Sequence, residues 1–222
     1  MVDRILAWEP YEPALYVKAR ALWATGDLQA VEPLLGNPGL EPDFRGVQAL
    51  AQRRYTAAIE AFSSAVAAAP NDGAKFNLGL SQQRAGDVTA ARATYQNWVQ
   101  DIQRDLEEVV PDSYPAAAKH ASLGLAYAGL GEAASAIAEG EKAMAMRPTS
   151  KDPFDGPGME EFMADIYGLL GDADHAIPIL KRLLQIPYSG SITPACLRLD
   201  PTWDQIRNDP RFQKLVASPT SK

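Results

Sequence analysis

The chain has 222 residues, of which 46% are hydrophobic and 22% are charged, as is typical of a globular domain with a sizeable core. Its formal net charge of −7 disfavours a nucleic-acid surface, which needs an excess of Lys and Arg. No apolar run reaches the roughly 18 residues needed to cross a bilayer, and the N-terminus lacks the pattern of a signal peptide. We therefore expect a cytoplasmic protein with no nucleic-acid or membrane partner.

Glycine followed by an acid recurs along the chain, at Gly26-Asp27, Gly86-Asp87, Gly131-Glu132 and Gly171-Asp172. Each glycine is expected to end one helix in the left-handed conformation, and each acid to cap the next helix. The sequence RILAWEP near the start is typical of the end of a second helix, which predicts a partial repeat at residues 1–10. In the second repeat Arg53 stands at the glycine position, and the helix after Pro42 is expected to be short.

Small residues recur at fixed offsets from the last three of these glycines, at Gly79, Gly124, Ala164, Ala91, Ala136 and Ala176. We expect them to let helices approach closely, while their large apolar neighbours Leu78, Leu123 and Met163 fill the core. The second helix of the third repeat has no terminal proline, and it is predicted to run on to Pro111. Residues 149–158, rich in Pro and Gly, are predicted to form an insertion loop.

The C-terminal segment, residues 197–216, predicts two short helices, each opened by an Asp-Pro pair at Asp200-Pro201 and Asp209-Pro210. Its apolar side chains are expected to cover the open end of the last repeat: Trp203, Ile206, Phe212 and Leu215. We therefore expect a repeat array over residues 1–196, followed by a cap and a disordered tail over residues 197–222.

These offsets resemble the tetratricopeptide (TPR) repeat, whose pattern is W-x2-L-G-x2-Y, then A-x3-F, then P. The best copy is HASLGLAYAGLGEAASAIAEGEKAMAMRP at residues 120–148, and Ala58, Phe62, Ala65 and Pro70 match the second half of the pattern. The resemblance covers roughly residues 4–188 and implies an all-α, right-handed solenoid of about five helix–turn–helix repeats. The C-terminal segment is similar to the ending of TPR regions in multidomain bacterial signalling proteins, in which a Ser/Thr kinase, an adenylate-cyclase-type domain or a winged-helix domain often precedes the repeats.

TPR arrays resemble one another in lining a concave groove with the first helix of each repeat. The resemblance therefore implies ligand-binding positions in such a groove, at Tyr16, Arg20, Trp23, Phe76, Leu80, Gln83, Arg84, Leu125, Glu161 and Asp165. The groove would grade from aromatic and basic to acidic. Residues 105–175 contain 14 Asp and Glu against 4 Lys and Arg, whereas residues 176–222 contain 7 Lys and Arg against 3 Asp and Glu. The acidic stretch is typical of a solvated helix face. The alternative is a surface that attracts a basic peptide or the chain's own basic tail.

The sequence carries no nucleotide-binding Gly loop and no kinase motif. Cys196, the one cysteine, is a weak partner for His120 or His175 in a thiol–imidazole pair, because the two histidines lie on separate repeats. Asp172, Asp174 and His175 open a helix, where Asp is expected without a metal. We expect no catalytic residue, no metal and no cofactor.

The leading functional hypothesis is a protein–protein interaction scaffold that binds a peptide or a domain in its concave groove, as the regulatory part of a larger bacterial signalling protein. We expect a monomer or a weak homodimer. One alternative is a self-association module that pairs through an apolar edge at the N-terminus. Another is a small-molecule sensor, in which residues 149–158 close the groove over a ligand.

Overall fold

The computed structural model describes residues 12–37, 42–188 and 192–217, and these residues form twelve α-helices and one 3₁₀ turn, with no strand. The helices are α1 (Glu12–Thr25), α2 (Leu28–Leu35), α3 (Pro42–Ala51), α4 (Tyr55–Ala68), α5 (Asp72–Arg84), α6 (Val88–Glu108), α7 (Tyr114–Leu130), α8 (Ala133–Met146), α9 (Gly156–Leu170), α10 (Ala173–Leu183), α11 (Pro194–Leu199) and α12 (Pro210–Ala217). None of the described helices combines the length and the apolar character needed to span a membrane. The predicted partial repeat at residues 1–10 and the end of the predicted tail lie outside the described residues.

The first ten helices form five consecutive hairpins, and each hairpin packs against the next one along the chain. The first helices of successive hairpins, α3, α5, α7 and α9, also contact one another and form an inner layer. The prediction of an all-helical fold is therefore confirmed. The third hairpin has the predicted long second helix, because α6 runs for 21 residues to Glu108.

The turn inside four of the five hairpins depends on a glycine in the left-handed conformation. Its φ is +82° at Gly26, +87° at Gly86, +79° at Gly131 and +76° at Gly171. In the second hairpin Arg53 adopts the same conformation, with φ at 61°. A side chain is strained there, so the residue that departs from the repeat pattern still keeps the geometry of the turn.

Small residues let the layers approach closely, as the sequence predicts. The ring of Tyr95, a fully buried residue of α6, lies against Gly79 of α5 and Gly129 of α7. A Cβ atom added at Gly79 would lie 2.6 Å from the nearest ring atom of Tyr95, and one added at Gly129 would lie 2.5 Å from it. Both contacts are shorter than carbon atoms tolerate, so one phenol ring fixes the spacing of three helices.

Two predicted boundaries need correction. Helix α9 begins at Gly156, within the predicted insertion loop, so the connection from α8 runs over residues 147–155. The predicted domain boundary between residues 196 and 197 falls inside α11, which begins at Pro194 after the N-cap residue Thr193. The segment that follows the last hairpin therefore starts earlier than the sequence suggested.

The C-terminal segment, predicted over residues 197–216, extends in the structure over residues 192–217 and packs against the rest of the chain. Its 3₁₀ turn (Pro201–Trp203) and α12 begin at the two predicted Asp-Pro pairs. Buried apolar side chains of this segment form a cluster with Ala164, Ala176, Ile177 and Leu180 of the fifth hairpin; they are Leu197, Trp203, Ile206, Phe212 and Val216. The segment thus covers the end of the last hairpin, and it also contacts the first one.

Candidate functional site: a cavity beneath the C-terminal segment

The predicted groove residues on α1 lie at the surface or at its edge. Tyr16 and Arg20 are exposed; the Arg20 guanidinium donates a hydrogen bond to the Tyr16 hydroxyl at 3.1 Å and lies 5.6 Å from its ring centre. Trp23 is half-buried, and its indole N–H donates to the Oε1 atom of Gln48 at 2.7 Å. Gln48 is fully buried, so this bond ties the first hairpin to α3.

Two predicted groove residues in the middle of the chain lie in the hydrophobic core, and a third packs against it. Leu80 is 0% exposed and Leu125 is 4% exposed, and both belong to the main hydrophobic core. Phe76 is half-buried, with its ring centre 6.2 Å from that of the buried Trp98. These residues pack between helices, because α5 and α7 are covered by neighbours on several sides. This corrects the expectation that Leu80 and Leu125 contact a partner.

Arg84 is occupied by the chain's own C-terminal segment. Its guanidinium donates a hydrogen bond to the backbone carbonyl of Pro201 at 2.9 Å, and its Nε atom lies 3.6 Å from a carboxylate oxygen of Asp204. The strained Arg53 forms an ion pair with the same carboxylate at 2.5 Å. Gln83, one residue before Arg84, is half-buried beside a shallow cavity that Gln205 also lines.

The C-terminal segment crosses the inner layer as far as the first hairpin. The Thr193 hydroxyl donates to the carbonyl of Ala24 at 2.7 Å, and the Cys196 thiol lies 3.9 Å from the carbonyl of Trp23. At the other end, the Gln205 amide donates to the carbonyl of Leu169. The sequence analysis allowed for docking of the chain's own tail, but it did not predict this path over the inner layer to the first hairpin.

A cavity of about 490 Å³, partly open to solvent, remains beneath the segment. Helices α1, α3 and α9 line most of it, Asn77 of α5 also contributes, and residues 192–203 cover the remaining side. One part of its lining is apolar and aromatic: Trp23, Val47, Leu50, Leu197 and Trp203. Its volume and its mostly apolar lining are those of small-molecule sites.

Three carboxylates line the other part of this cavity: Glu161 and Asp165 of α9, and Asp200 at the end of α11. Glu161 accepts a hydrogen bond from the Tyr188 hydroxyl at 2.7 Å, and Asp200 accepts one from the backbone N–H of Thr202 at 2.8 Å. Asp165 makes no hydrogen bond and no ion pair with the described residues. Asp165 is half-buried, and it lines the cavity.

The enclosure changes the acidity of all three groups. Burial raises the pKa of Asp165 well above its usual range, and the carboxylates of Glu161 and Asp200 raise it further. Burial also raises the pKa of Glu161, although the hydrogen bond from Tyr188 opposes that rise. It likewise raises the pKa of Asp200, against the opposing hydrogen bonds from Thr202. Each pKa moves up because a charged carboxylate loses hydration without gaining a full complement of donors.

Of the ten predicted site residues, the structure gathers four around this cavity: Arg20, Trp23, Glu161 and Asp165. Cys196 also lines it, but no histidine of the described residues does. His120 is hydrogen-bonded to Glu139 at 2.6 Å and His175 to Asp172 at 2.7 Å, so neither forms a pair with the thiol. Within the described ranges, no group of three His, Cys, Asp or Glu side chains is arranged to hold a metal ion.

No protein-family model matches the chain, and no curated protein matches it significantly. The candidate site therefore rests on its own geometry and charge.

Proposed function

We propose that this chain is a binding module built on TPR-type helical hairpins, and that it recognises its ligand in the cavity beneath the C-terminal segment. The glycine and alanine positions of the repeat support the TPR assignment, because they occupy the turns and the close helix contacts that such a repeat requires. In this proposal the chain acts by binding and carries no catalytic residue of its own.

The observation that carries the proposal is the cavity that lies between the inner layer and the C-terminal segment. Displacing the C-terminal segment would expose five large apolar side chains, at about 1.5–3 kcal/mol each. An extended peptide running along the whole inner layer would have to meet that cost. A compact ligand, or a single side chain of a partner protein, fits the remaining volume without it. The cavity therefore favours the alternative of a small-molecule sensor. The segment that covers the ligand site is residues 192–203, whereas the sequence analysis expected residues 149–158.

The test is a cavity-filling substitution. Ala51 is a half-buried residue that lines the cavity from α3, and Ala51→Phe would occupy part of the volume. The matched control is Ala93→Phe, at an exposed position of α6. Small aromatic compounds should raise the melting temperature of the wild-type protein and of the control, and should fail to raise that of the Ala51→Phe variant. Equal shifts in all three proteins, or no shift in any, would refute the proposal.

A second candidate, recognition of a protein segment on the inner layer, keeps the expected scaffold function. It is favoured by the manner in which that layer already holds the C-terminal segment: Arg84 binds a backbone carbonyl and Arg53 binds a carboxylate, as they would in a peptide complex. A Trp203→Ala variant should loosen the chain's own segment. A synthetic peptide of residues 192–217 should then bind in trans and raise the melting temperature, whereas the same peptide carrying Trp203→Ala should not.

Self-association stays a separate prediction, because the apolar edge proposed for it lies in residues 1–10, outside the described residues. Sedimentation velocity on the full chain distinguishes a monomer from a dimer.

A further inference from the structure

One part of the cavity is aromatic and the other part carries carboxylates. This difference indicates the chemistry of the ligand, which the volume alone does not. Trp23 and Trp203 contribute aromatic surface, while Glu161, Asp165 and Asp200 contribute carboxylates. Among the cationic side chains of the described residues, Arg20 is the one that lines the cavity. Arg20 is exposed, and its guanidinium donates a hydrogen bond to the Tyr16 hydroxyl on α1.

Asp165 is the cavity carboxylate that has no hydrogen-bond donor and no cation beside it among the described residues. The groups that face it are the carboxylates of Glu161 and Asp200, both of which repel its negative charge. Glu161 in turn faces Arg20 and the Tyr188 hydroxyl, and Asp200 faces Arg207 and Asp204. Each neighbour therefore has a donor or a cation of its own, whereas Asp165 has neither among the described residues.

An enclosed carboxylate without a donor is costly to the folded protein, because charge that loses hydration must be paired or neutralised. Residues that reduce stability in this way are characteristic of sites built for a ligand. A cation with a hydrogen-bond donor supplies what Asp165 lacks, and the aromatic side chains accommodate an apolar body beside that cation.

We propose that the cavity binds an ammonium or guanidinium group carried on an apolar body, with Asp165 as its principal partner and with Trp23 and Trp203 against the body. The group belongs either to a free amine or to a Lys or Arg side chain of a partner protein. This inference rests on the proposed binding function and specifies the ligand of that same site.

Three probes of similar shape separate charge from size: 2-phenylethylamine, 2-phenylethanol and phenylacetate. Ligand-observed NMR on the full chain should show the amine binding about tenfold more tightly than the alcohol, since one charge-assisted hydrogen bond distinguishes them. Phenylacetate should bind most weakly because the carboxylates repel it. If amine and alcohol bind equally, the cavity is a ligand site but the inference about charge is wrong. If no probe binds, the proposed function fails as well.

Asp165→Asn removes the charge while keeping the shape, and it should weaken amine binding about tenfold and leave alcohol binding unchanged. The matched control is Glu60→Gln, an exposed position of α4, which should change neither. Unchanged amine affinity in Asp165→Asn would overturn the role assigned to that residue.

A measurement on the wild-type protein covers the case in which the variant does not fold. Because the cavity carboxylates hold protons more tightly than usual, amine binding should release protons, and its affinity should increase as pH rises through the raised pKa of Asp165. Calorimetry in two buffers of different ionisation enthalpy detects that release. Binding without proton release and without pH dependence would contradict the proposal.

The source of the cation is decided by a fourth probe, the blocked dipeptide acetyl-Phe-Lys-amide. Competition between the dipeptide and 2-phenylethylamine would assign the site to a side chain of a partner protein. Binding of the amine alone would assign it to a free small molecule, and binding of neither would refute the inference.

Discussion

Gly168 of α9 lies under the indole of Trp203, and replacing it with alanine tests how tightly the C-terminal segment is held. A Cβ atom at this position would lie 2.7 Å from two ring carbons of Trp203 and 3.6 Å from the carbonyl oxygen of Thr202. Trp203 is 2% exposed, and Phe212 packs beside it with the ring centres 6.1 Å apart. The indole therefore has little room to move, so Gly168→Ala should cost about 1–3 kcal/mol of overpacking, offset by about 0.5–1 kcal/mol of helix stabilisation.

Gly158 provides a control on the same helix, because a Cβ atom there would meet no atom within 4 Å. Gly158→Ala should be neutral or stabilise the protein by up to about 1 kcal/mol. The free energies of unfolding of the two variants should therefore differ by about 1–3 kcal/mol, or roughly 2–10 °C in melting temperature for a chain of this size. Circular dichroism measures both quantities. Equal midpoints for the two variants would refute the packing of Trp203 against α9.

Three further predictions concern single side chains. Gln48→Leu should destabilise the protein by about 2–4 kcal/mol in urea unfolding, because it leaves the Trp23 indole N–H without its buried acceptor. Arg53→Ala should be less stable than Arg53→Gly by about 1 kcal/mol, since both variants lose the ion pair but only alanine stays strained at positive φ. Asp165→Asn should match the wild-type protein in stability near about pH 4 and exceed it at about pH 8. Equal stability at both pH values would contradict the last prediction.

The sign of the pH prediction follows from the direction of the pKa shift. Burial and the neighbouring carboxylates raise the pKa of Asp165, so the folded protein holds this proton more tightly than the unfolded chain. Below the unfolded pKa of about 3.9 both states are protonated, and the residue costs nothing. As pH rises from there through the raised folded pKa, Asp165 ionises more readily in the unfolded chain than in the folded protein. The free energy of unfolding of the wild-type protein therefore falls with pH. Asparagine does not ionise, so the variant does not show this fall.

Local features of the fold were predictable from the sequence because short-range chemistry determines them. The glycine of each turn, the long α6 and the two Asp-Pro starts all follow from backbone conformation and capping within a few residues. Arg53 shows the limit of that reasoning. Its departure from the pattern suggested a degenerate repeat, whereas the turn is preserved and its side chain binds Asp204, 151 residues away.

The candidate site was predictable only in part. Glu161 and Asp165 were placed correctly on a first helix of the array, but their convergence with Asp200 depends on the path of the C-terminal segment. That path is set by contacts such as Thr193 with Ala24, which are 169 residues apart. Hydrophobic periodicity reports which face of a helix is buried and says nothing of which distant segment covers it. For the same reason the repeat pattern places Leu80 and Leu125 in the groove, whereas both lie in the core.

The cavity depends on the contact between the C-terminal segment and the first hairpin, and a disulfide tests that contact directly. A Cβ atom at Gly26 would lie 3.3 Å from the Cβ atom of Ala195, close to the spacing of about 3.5–4.5 Å found across disulfides. The chain carrying Gly26→Cys, Ala195→Cys and Cys196→Ser should form an intramolecular disulfide under mild oxidation, seen as a mobility shift without reductant. A control with Val88→Cys in place of Gly26→Cys should not. Because Gly26 has a positive φ, the circular dichroism spectrum must show that the variant keeps its helices. Absence of the bond in such a folded variant, with both thiols free, would contradict the closed arrangement.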